Sequence, residues 1–221
     1  DFDDWLVKLE QCQAFAFDTE TTSLDYNVAR VVGVSLAIEC GLAVYIPFAH
    51  DYLDAPSQLS ETVVLGGLKP LLENPAIKKV GQNLKYDKHV IANHGIELRG
   101  IGDDTMLLSY VLNSTASRHD MDSLALSHLS YTTTHFEEVA GKGAKQLTFN
   151  QVPLETAGPY AAEDADITLR LQSVLRKKIN QLPGLEKLYR EIELPLLEVI
   201  CSIEKNGALV DSKLLLAQSK E

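Results

Sequence analysis

Residues 15–21 read FAFDTET, and this stretch decides the architecture expected for the rest of the chain. Its apolar residues are typical of a buried strand, but Asp18 and Glu20 interrupt the apolar pattern. Side chains of a strand alternate between its two faces, so these two carboxylates project from the same face. Two like charges side by side repel each other and are costly to bury. We therefore expect a positive group to lie between Asp18 and Glu20.

The segments that follow predict an α/β fold in which a central mixed sheet is covered by helices. Besides the strand near 14–19, strands are expected at 31–38, 42–48 and 77–83, with a short extended piece before Asp104. Helices are expected at 61–73, 84–93, 105–112, 122–129, 154–181 and 185–206, and another begins after the capping residue Asp211. Residues 130–152 are polar and are predicted to form a long loop.

Composition limits the classes of protein to which the chain can belong. With 221 residues, 45% of them hydrophobic, it suits one large domain or a domain plus a fragment. A net charge of −11 argues against a broad basic face for nucleic acid, although it leaves room for a local site with bound cations. The cysteines, Cys12, Cys40 and Cys201, are too far apart to suggest a disulfide framework or zinc cluster, which favours a reducing cytosol.

Neither a signal peptide nor a membrane span is predicted. Residues 31–49 are long and apolar enough to resemble a spanning helix, but Glu39, Gly41 and Pro47 interrupt them, and a β-hairpin fits better. The first residues lack a basic region followed by an apolar run. Because the chain does not begin with Met and stops inside a predicted helix, we expect it to be part of a longer polypeptide.

Two more carboxylates belong to candidate chemistry. Asp87 lies early in the helix that follows GQN, and Asp164 lies one helical turn after Tyr160 in YAAEDADIT. Taken singly, such residues are more often explained by an exposed strand edge, a helix cap or ordinary packing. Glu163 and Asp166 are interpreted as a solvated acidic face. An apolar strand with DxE, then NxxxD, then YxxxD is a combination that chance seldom produces in this order.

These motifs carry a family resemblance. FDTETTSLD, VGQNLKYD and YAAEDADIT resemble the three exonuclease motifs of the DnaQ-like superfamily, RNase H-like in fold, in its tyrosine-containing DEDDy branch. The chain also resembles the proofreading domain of the bacterial DNA polymerase I family, whose members are family A polymerases. This resemblance rests on the stretches YIPFAHDYLDAP, RHDMDSLA and FEEVAGKGAKQLTFNQV. The resemblance implies an exonuclease domain over residues 1–182, and a helical connection with a truncated start of the polymerase domain over 183–221.

The resemblance implies a metal-dependent 3′→5′ exonuclease that releases nucleoside 5′-monophosphates from single-stranded or frayed DNA 3′ ends. Two divalent ions, Mg²⁺ or Mn²⁺, would lie between the carboxylates. Asp18, Glu20 and Asp164 would hold one ion, while Asp18 and Asp87 would serve the second, Asp87 largely through water. Tyr160 would orient the attacking water as a neutral hydroxyl, because an unperturbed tyrosine has a pKa of about 10.

The resemblance also implies residues that hold the substrate. Leu24 and Phe136 would wedge and stack the terminal bases, and stacking on an aromatic ring contributes about 1–3 kcal/mol per base whatever the sequence. For Phe136 the alternative to a role in substrate binding is core packing. For Arg118 the alternative is a surface charge without contact to substrate. A mispaired end would reach the site more often because separating paired bases costs least at a mismatch. Contacts to the last nucleotides and their phosphates are assigned to Thr21, Gln82, Asn83, Tyr86 and Arg118.

Two alternatives stay open. The first is a DEDDy ribonuclease of the RNase D type, which the polymerase-like tail disfavours. The second is a non-catalytic DNA-docking or structural domain, which the presence of all four carboxylates disfavours. The expected partners are DNA and the polymerase domain of the same full-length chain, with no membrane contact. A monomer in the bacterial cytoplasm, associated with the nucleoid, is expected.

Overall fold

A computed structural model describes residues 1–116 and 118–220. Its centre is a five-stranded sheet with the order β3-β2-β1-β4-β5. The central strand β1 runs antiparallel to β2 and parallel to β4, so the sheet is mixed, as the sequence predicted. The strands are β1 (Ala14–Thr21), β2 (Val31–Glu39), β3 (Leu42–Pro47), β4 (Lys78–Gly81) and β5 (Ile101–Asp104).

Helices cover both faces of the sheet. The longest, α7, contacts β1, β2 and β3 on one face and carries α4 and α5 on its outer side. On the other face α2, α3 and α9 contribute to the main apolar core with Phe15 and Phe17 of β1. The helices are α1 (Phe2–Gln11), α2 (Glu61–Leu72), α3 (Leu84–Ala92), α4 (Thr105–Leu112), α5 (Met121–Leu129), α6 (Phe136–Ala140), α7 (Leu154–Ile179), α8 (Pro183–Leu188), α9 (Leu194–Asn206) and α10 (Ser212–Gln218).

Side chains alternate along β1, so its two faces pack against different helices. Phe15 and Phe17 face the core beneath α2 and α3, whereas Ala16 packs against Ala37 of β2 and Ala165 of α7. Because side chains of a strand alternate, Asp18 and Glu20 share the α7 face with Ala16, and Thr19 shares the α3 face. The three alanines are small, which lets α7 lie close to the strand that carries the carboxylates.

Three segments differ from the sequence-based expectation, and the first two are the N-terminal segment and residues 130–152. The N-terminal helix α1 was not predicted; its Trp5 and Leu9 are buried. Residues 130–152 were predicted as a loop, and this was wrong in part, because they contain α6 and two 3₁₀ turns, Gly143–Lys145 and Phe149–Gln151. A capping box stabilises α6, in which the His135 N–H donates to a Glu138 carboxylate oxygen at 2.9 Å.

The long helix predicted at 185–206 is divided. The π-helical turn Tyr189–Glu193 separates α8 from α9. Pro195 stands at the start of α9 and has no N–H to donate to the preceding turn, which accounts for the local widening. The final helix α10 begins as predicted after Asp211, whose carboxylate accepts from two backbone N–H groups. No helix in the described part of the chain is long and apolar enough to span a membrane.

Candidate functional site

Three carboxylates meet at the end of β1. One oxygen from each of Asp18, Glu20 and Asp164 lies within 4.8 Å of the other two. β1 supplies the first two from its α7 face, and α7 supplies the third, so the sheet and its longest helix form the cluster together. Between residues 20 and 21 the pairing of β1 with β2 shifts register, a type of irregularity that re-aims side chains next to active sites.

The chemistry of this cluster fits a bound divalent cation. Glu20 and Asp164 are only 9% and 8% exposed, and one Glu20 carboxylate oxygen, Oε1, has no hydrogen-bond partner among the described residues. A buried carboxylate oxygen without a partner is costly, and hard cations such as Mg²⁺ and Mn²⁺ prefer oxygen ligands. Three acidic oxygens at this spacing therefore have the composition of a site for such an ion.

Burial raises the pKa of each carboxylate in this cluster, and repulsion between neighbouring charges adds to the rise for Glu20 and Asp164. For Asp18 the burial of its carboxyl raises the pKa to about 6, against smaller opposing effects of Ser35 and the Thr19 backbone. For Glu20, burial followed by the charges of Asp18 and Asp164 raises the pKa well above its usual value. The pKa of Asp164 is also raised, by burial first and then by Asp18. Without a cation, the folded site resists holding all its negative charges.

Asp87 approaches from the opposite face of β1. It is 2% exposed, and its Oδ1 accepts from the Thr19 backbone N–H at 3.0 Å and from the Thr19 hydroxyl at 2.7 Å. It is not one of the three residues whose oxygens gather within 4.8 Å. Burial and then the charge of Asp18 raise its pKa, so its carboxylate still interacts with the cluster. Asp87 therefore lies outside the three-oxygen cluster but lines the same cavity as the other three carboxylates.

Tyr160 belongs to an aromatic wall beside the carboxylates. Its ring centroid lies 5.9 Å from that of Phe149 and 6.3 Å from that of Phe136. Burial, and after it the Asp164 charge, raise the pKa of Tyr160 far above its ordinary value. The hydroxyl is therefore neutral at physiological pH.

The carboxylates and the aromatic wall open into one cavity of about 590 Å³. Leu24 lines this cavity and is 93% exposed. Tyr86 is fixed by hydrogen bonds of 2.5 Å that join its hydroxyl to the Thr21 hydroxyl and to the Ser23 carbonyl. Among the residues predicted to hold substrate, those lining this cavity are Thr21, Leu24, Gln82, Tyr86 and Phe136.

Two of the residues predicted to hold substrate lie elsewhere. Asn83 is the N-cap of α3 and lines a smaller cavity on the side of α9. Arg118 is exposed and lines a separate cleft with His128 and Lys178. The described structure therefore does not bring these two side chains to the cavity that holds the carboxylates.

The cavity also contains residues that the sequence-based reasoning did not single out. Gln146, Leu147, Thr148 and Phe149 line it from the segment between α6 and α7. Gly141 and Gly143, both with positive φ, shape the turn that leads into this segment. The available signal was the long polar stretch itself, since long ordered loops often carry function.

Glu163 and Asp166, predicted to form a solvated acidic face, are instead half-buried and bonded. The Glu163 carboxylate accepts from the Thr134 N–H at 2.7 Å and from the Tyr131 hydroxyl at 2.6 Å. Asp166 accepts from the Gly41 N–H at 2.6 Å and forms an ion pair with Arg170 at 2.7 Å. The prediction was wrong because loops from distant parts of the chain pack on this helix face.

Sequence comparison places the chain among known exonuclease domains. A family model described as 3'-5' exonuclease matches residues 1–180. DNA polymerase I of Pseudomonas aeruginosa is 58% identical over 222 residues, which cover 100% of this chain and 24% of the relative. DNA polymerase I of Rhizobium leguminosarum is 41% identical, covering 99% of this chain and 23% of the relative. The chain thus spans about a quarter of the length of these relatives.

Solved structures share the fold at low identity. The POL domain of Pol1 from M. smegmatis, in complex with DNA primer-template and dNTP, has a TM-score of 0.77 at 20% identity. The match covers 99% of this chain and 33% of the M. smegmatis chain. Brucella melitensis NrnC with bound Mg²⁺ has a TM-score of 0.61 at 20% identity, with 91% of each chain covered. Escherichia coli RNase D has a TM-score of 0.62 at 19% identity, covering 91% of this chain and 48% of its own. The expected DnaQ-like fold is therefore confirmed, and the chain belongs to the family of 3'-5' exonuclease domains found in bacterial DNA polymerase I.

Proposed function

We propose that this chain hydrolyses the terminal phosphodiester of single-stranded or frayed DNA, working from the 3′ end and releasing nucleoside 5′-monophosphates. One observation carries the proposal: three carboxylates converge within 4.8 Å in a cavity that also offers apolar and aromatic side chains to a base. Membership of the 3'-5' exonuclease family supports it. The combination suits an enzyme that takes up a nucleic acid end and holds cations at its last phosphate.

The donor set supports two divalent ions, Mg²⁺ or Mn²⁺. Asp18, Glu20 and Asp164 would hold the first, and the unpartnered oxygen of Glu20 would gain a ligand there. Asp87, which lines the same cavity, would serve the second together with Asp18. Bound divalent ions in such sites lower the pKa of water and stabilise negative charge on a phosphoryl group. The Mg²⁺ in the structurally similar NrnC agrees with this choice of metal.

The protein's own residues position the reactants. The neutral Tyr160 hydroxyl would hold the attacking water by a hydrogen bond beside Asp164, because its raised pKa prevents it from acting as a phenolate. Leu24 and Phe136 would wedge and stack the terminal bases at the mouth of the cavity. Thr21 and Tyr86, already fixed to each other, would contact the last nucleotide.

The side-chain amide of Gln82 is bonded at both its nitrogen and its oxygen. Its amide donates to the His119 carbonyl at 2.7 Å, and its carbonyl accepts from the Thr105 hydroxyl at 2.5 Å. The side chain is thus held rigidly at the wall of the cavity, where it can contact a nucleotide without first losing conformational freedom. Asn83 and Arg118, which line other cavities, remain proposed contacts to the last nucleotides and their phosphates.

The setting of this activity follows from the relatives. We propose that the chain edits DNA next to a polymerase domain of the same longer polypeptide, as a monomer in the bacterial cytoplasm at the nucleoid. Single-strand affinity is expected to be modest and to fall as salt rises, because the net charge of −11 opposes a polyanion.

The test compares two neighbouring carboxylates of α7. Asp164→Ala is expected to lower nucleotide release from a single-stranded DNA oligonucleotide, with Mg²⁺ or Mn²⁺, by more than about 10²-fold. Asp166→Asn is the matched control: it removes a charge from the same helix but contacts Gly41 and Arg170, and should retain activity. Circular dichroism establishes that both variants fold.

Three outcomes would contradict the proposal. Release of no nucleotide by the unmodified chain with either metal would remove the enzymatic function and favour a docking or structural domain. Retained activity in Asp164→Ala would remove this site. Faster turnover of a matched RNA oligonucleotide than of DNA would shift the assignment to a ribonuclease of the RNase D type.

A further inference from the structure

The segment between α5 and α6 is bonded to α7 through the carboxylate of Glu163, the neighbour of the proposed metal ligand Asp164. Glu163 Oε2 accepts from the Thr134 backbone N–H at 2.7 Å, and Oε1 accepts from the Tyr131 hydroxyl at 2.6 Å. Both oxygens are therefore used, and both bonds cross from a long rigid helix to an irregular segment. Hydrogen bonds to a charged group are stronger than neutral ones, so this attachment is firm.

A second carboxylate fixes the same segment from the other side. Asp122 of α5 accepts from the Thr133 hydroxyl at 2.6 Å and pairs with the His135 ring at 2.8 Å. Glu163 and Asp122 thus hold alternate positions along residues 133–135. The next residue is Phe136, the first of α6, which lines the cavity.

The helix that carries Phe136 cannot hold this ring in place by itself. It has only five residues, and isolated helices of that length are unstable in water. Its position depends on the attachments just described and on packing of Phe136 against Phe149, whose ring centroid is 6.4 Å away. A shorter side chain at position 163 would break the contact with Thr134 and free the segment on the side nearest Asp164.

We propose that Glu163 is a positioning residue that sets the place of Phe136, and through it the stacking of the terminal base of the DNA strand. This inference rests on the proposed exonuclease function and deepens it. The residue acts by its reach to Thr134 and Tyr131, not by its charge. It therefore governs binding of the strand end more than the chemical step.

The competing explanation is electrostatic, since the Glu163 charge stands beside Asp164. Two substitutions separate reach from charge. Glu163→Asp keeps the charge but withdraws the carboxylate by one methylene group, so it loses contact with the Thr134 N–H. Glu163→Gln removes the charge but keeps the reach: its carbonyl accepts from the Thr134 N–H, and its amide donates to the Tyr131 hydroxyl. Asp166→Asn, which contacts Gly41 instead, controls for loss of a charge from α7.

The experiment measures KM and kcat on a single-stranded DNA oligonucleotide with Mn²⁺. We expect Glu163→Asp to raise KM about fivefold with little change in kcat, and Glu163→Gln and Asp166→Asn to stay near the unmodified chain. In a chain that already carries Phe136→Ala, Glu163→Asp should cause no further rise in KM. Fluorescence of a strand ending in 2-aminopurine reports stacking of the terminal base in the same variants without turnover.

Three other results would overturn the inference. Impairment of Glu163→Gln with a normal Glu163→Asp would show that charge acts on the metal site. Normal KM and normal 2-aminopurine stacking in both variants would show that the contacts are structural only. If Glu163→Asp raises KM by the same factor with and without Phe136→Ala, Glu163 does not act through that ring. An inactive unmodified chain refutes the proposed function instead, and the fluorescence comparison then decides this inference alone.

Discussion

Thr19 donates two hydrogen bonds to the same oxygen of Asp87, although the two residues are 68 positions apart. The backbone N–H and the hydroxyl of Thr19 both reach Asp87 Oδ1, at 3.0 and 2.7 Å, so this oxygen is held in place from the α3 face of β1. The residues on either side of Thr19, Asp18 and Glu20, face α7. Three consecutive residues of one strand thus organise carboxylates that approach from both of its faces and line one cavity.

Thr19→Val is the first prediction. Valine keeps the shape of the side chain and the backbone bond but removes the hydroxyl that holds Asp87 Oδ1. Removing a group that orients a metal ligand typically costs about 10–100-fold in metal affinity or activity, and we expect a loss at the lower end of this range because the backbone bond remains. Nucleotide release as a function of Mn²⁺ concentration measures the effect. An unchanged Mn²⁺ dependence and rate would show that Asp87 needs no such support.

Tyr160→Phe tests the neutral hydroxyl. Because the raised pKa keeps this group protonated, it can orient water but cannot serve as a base, and its loss should slow kcat less than the loss of Asp164. We expect a reduction of about 10-fold to 10²-fold with KM nearly unchanged. Single-turnover rates across pH 6–9 should fall by a constant factor. A pH profile that changes shape in the variant would point to proton transfer by Tyr160.

The metal-free chain should become more stable when acid is added. In the folded state the pKa of Asp18 is raised from 3.8 to about 6, so the folded chain binds a proton more readily than the unfolded chain. Stability lost to this group at pH 7 is therefore recovered as pH falls through about 6 towards 4. Glu20 and Asp164, whose pKa values are also raised, act in the same direction.

Thermal unfolding in EDTA measures this effect. At pH 7.5 Asp18→Asn is expected to stabilise the metal-free chain by about 1–3 kcal/mol, since it removes one of the mutually repelling charges. Addition of Mn²⁺ should stabilise the unmodified chain more than the variant, because a ligand of the folded state adds to its stability. A variant less stable than the unmodified chain in EDTA would contradict the raised pKa.

Gly33→Ala tests the space opposite Glu20. Gly33 pairs with Glu20 across β1 and β2, and a Cβ there would overlap the Tyr45 ring. The Tyr45 hydroxyl is fixed at 2.7 Å from His50 Nε2, and its ring packs against Phe149 in the aromatic wall. Overpacking of this kind costs about 1–3 kcal/mol.

Displacement of Tyr45 should also lower activity, because the rings of Tyr45 and Tyr160 both pack on Phe149. Urea unfolding and nucleotide release on the same preparation measure the two effects together. Gly66→Ala is the matched control, since a Cβ at Gly66 meets no heavy atom within 4 Å and lies in α2. If Gly33→Ala behaves like Gly66→Ala, the space beside the aromatic wall is not needed.

Local sequence determined the elements and the chemical identity of the site. Apolar runs with a turn at Gly41 (φ +85°) predicted the hairpin, and Ser60 and Asp211 predicted helix starts, because caps and turns depend on near neighbours. The resemblance of three short motifs indicated the fold and the carboxylates Asp18, Glu20 and Asp164, which the structure brings together.

Tertiary structure alone decided which side chains share a space. The motifs gave no sign that Asp87 approaches from the face opposite Asp164, that Asn83 and Arg118 line other cavities, or that Glu163 attaches a distant segment. These relations depend on α3 and α7 packing on opposite faces of β1, and on loops that meet across more than a hundred residues in some cases. A strand fixes the direction of its own side chains through its backbone; only the packing of other elements fixes what those side chains meet.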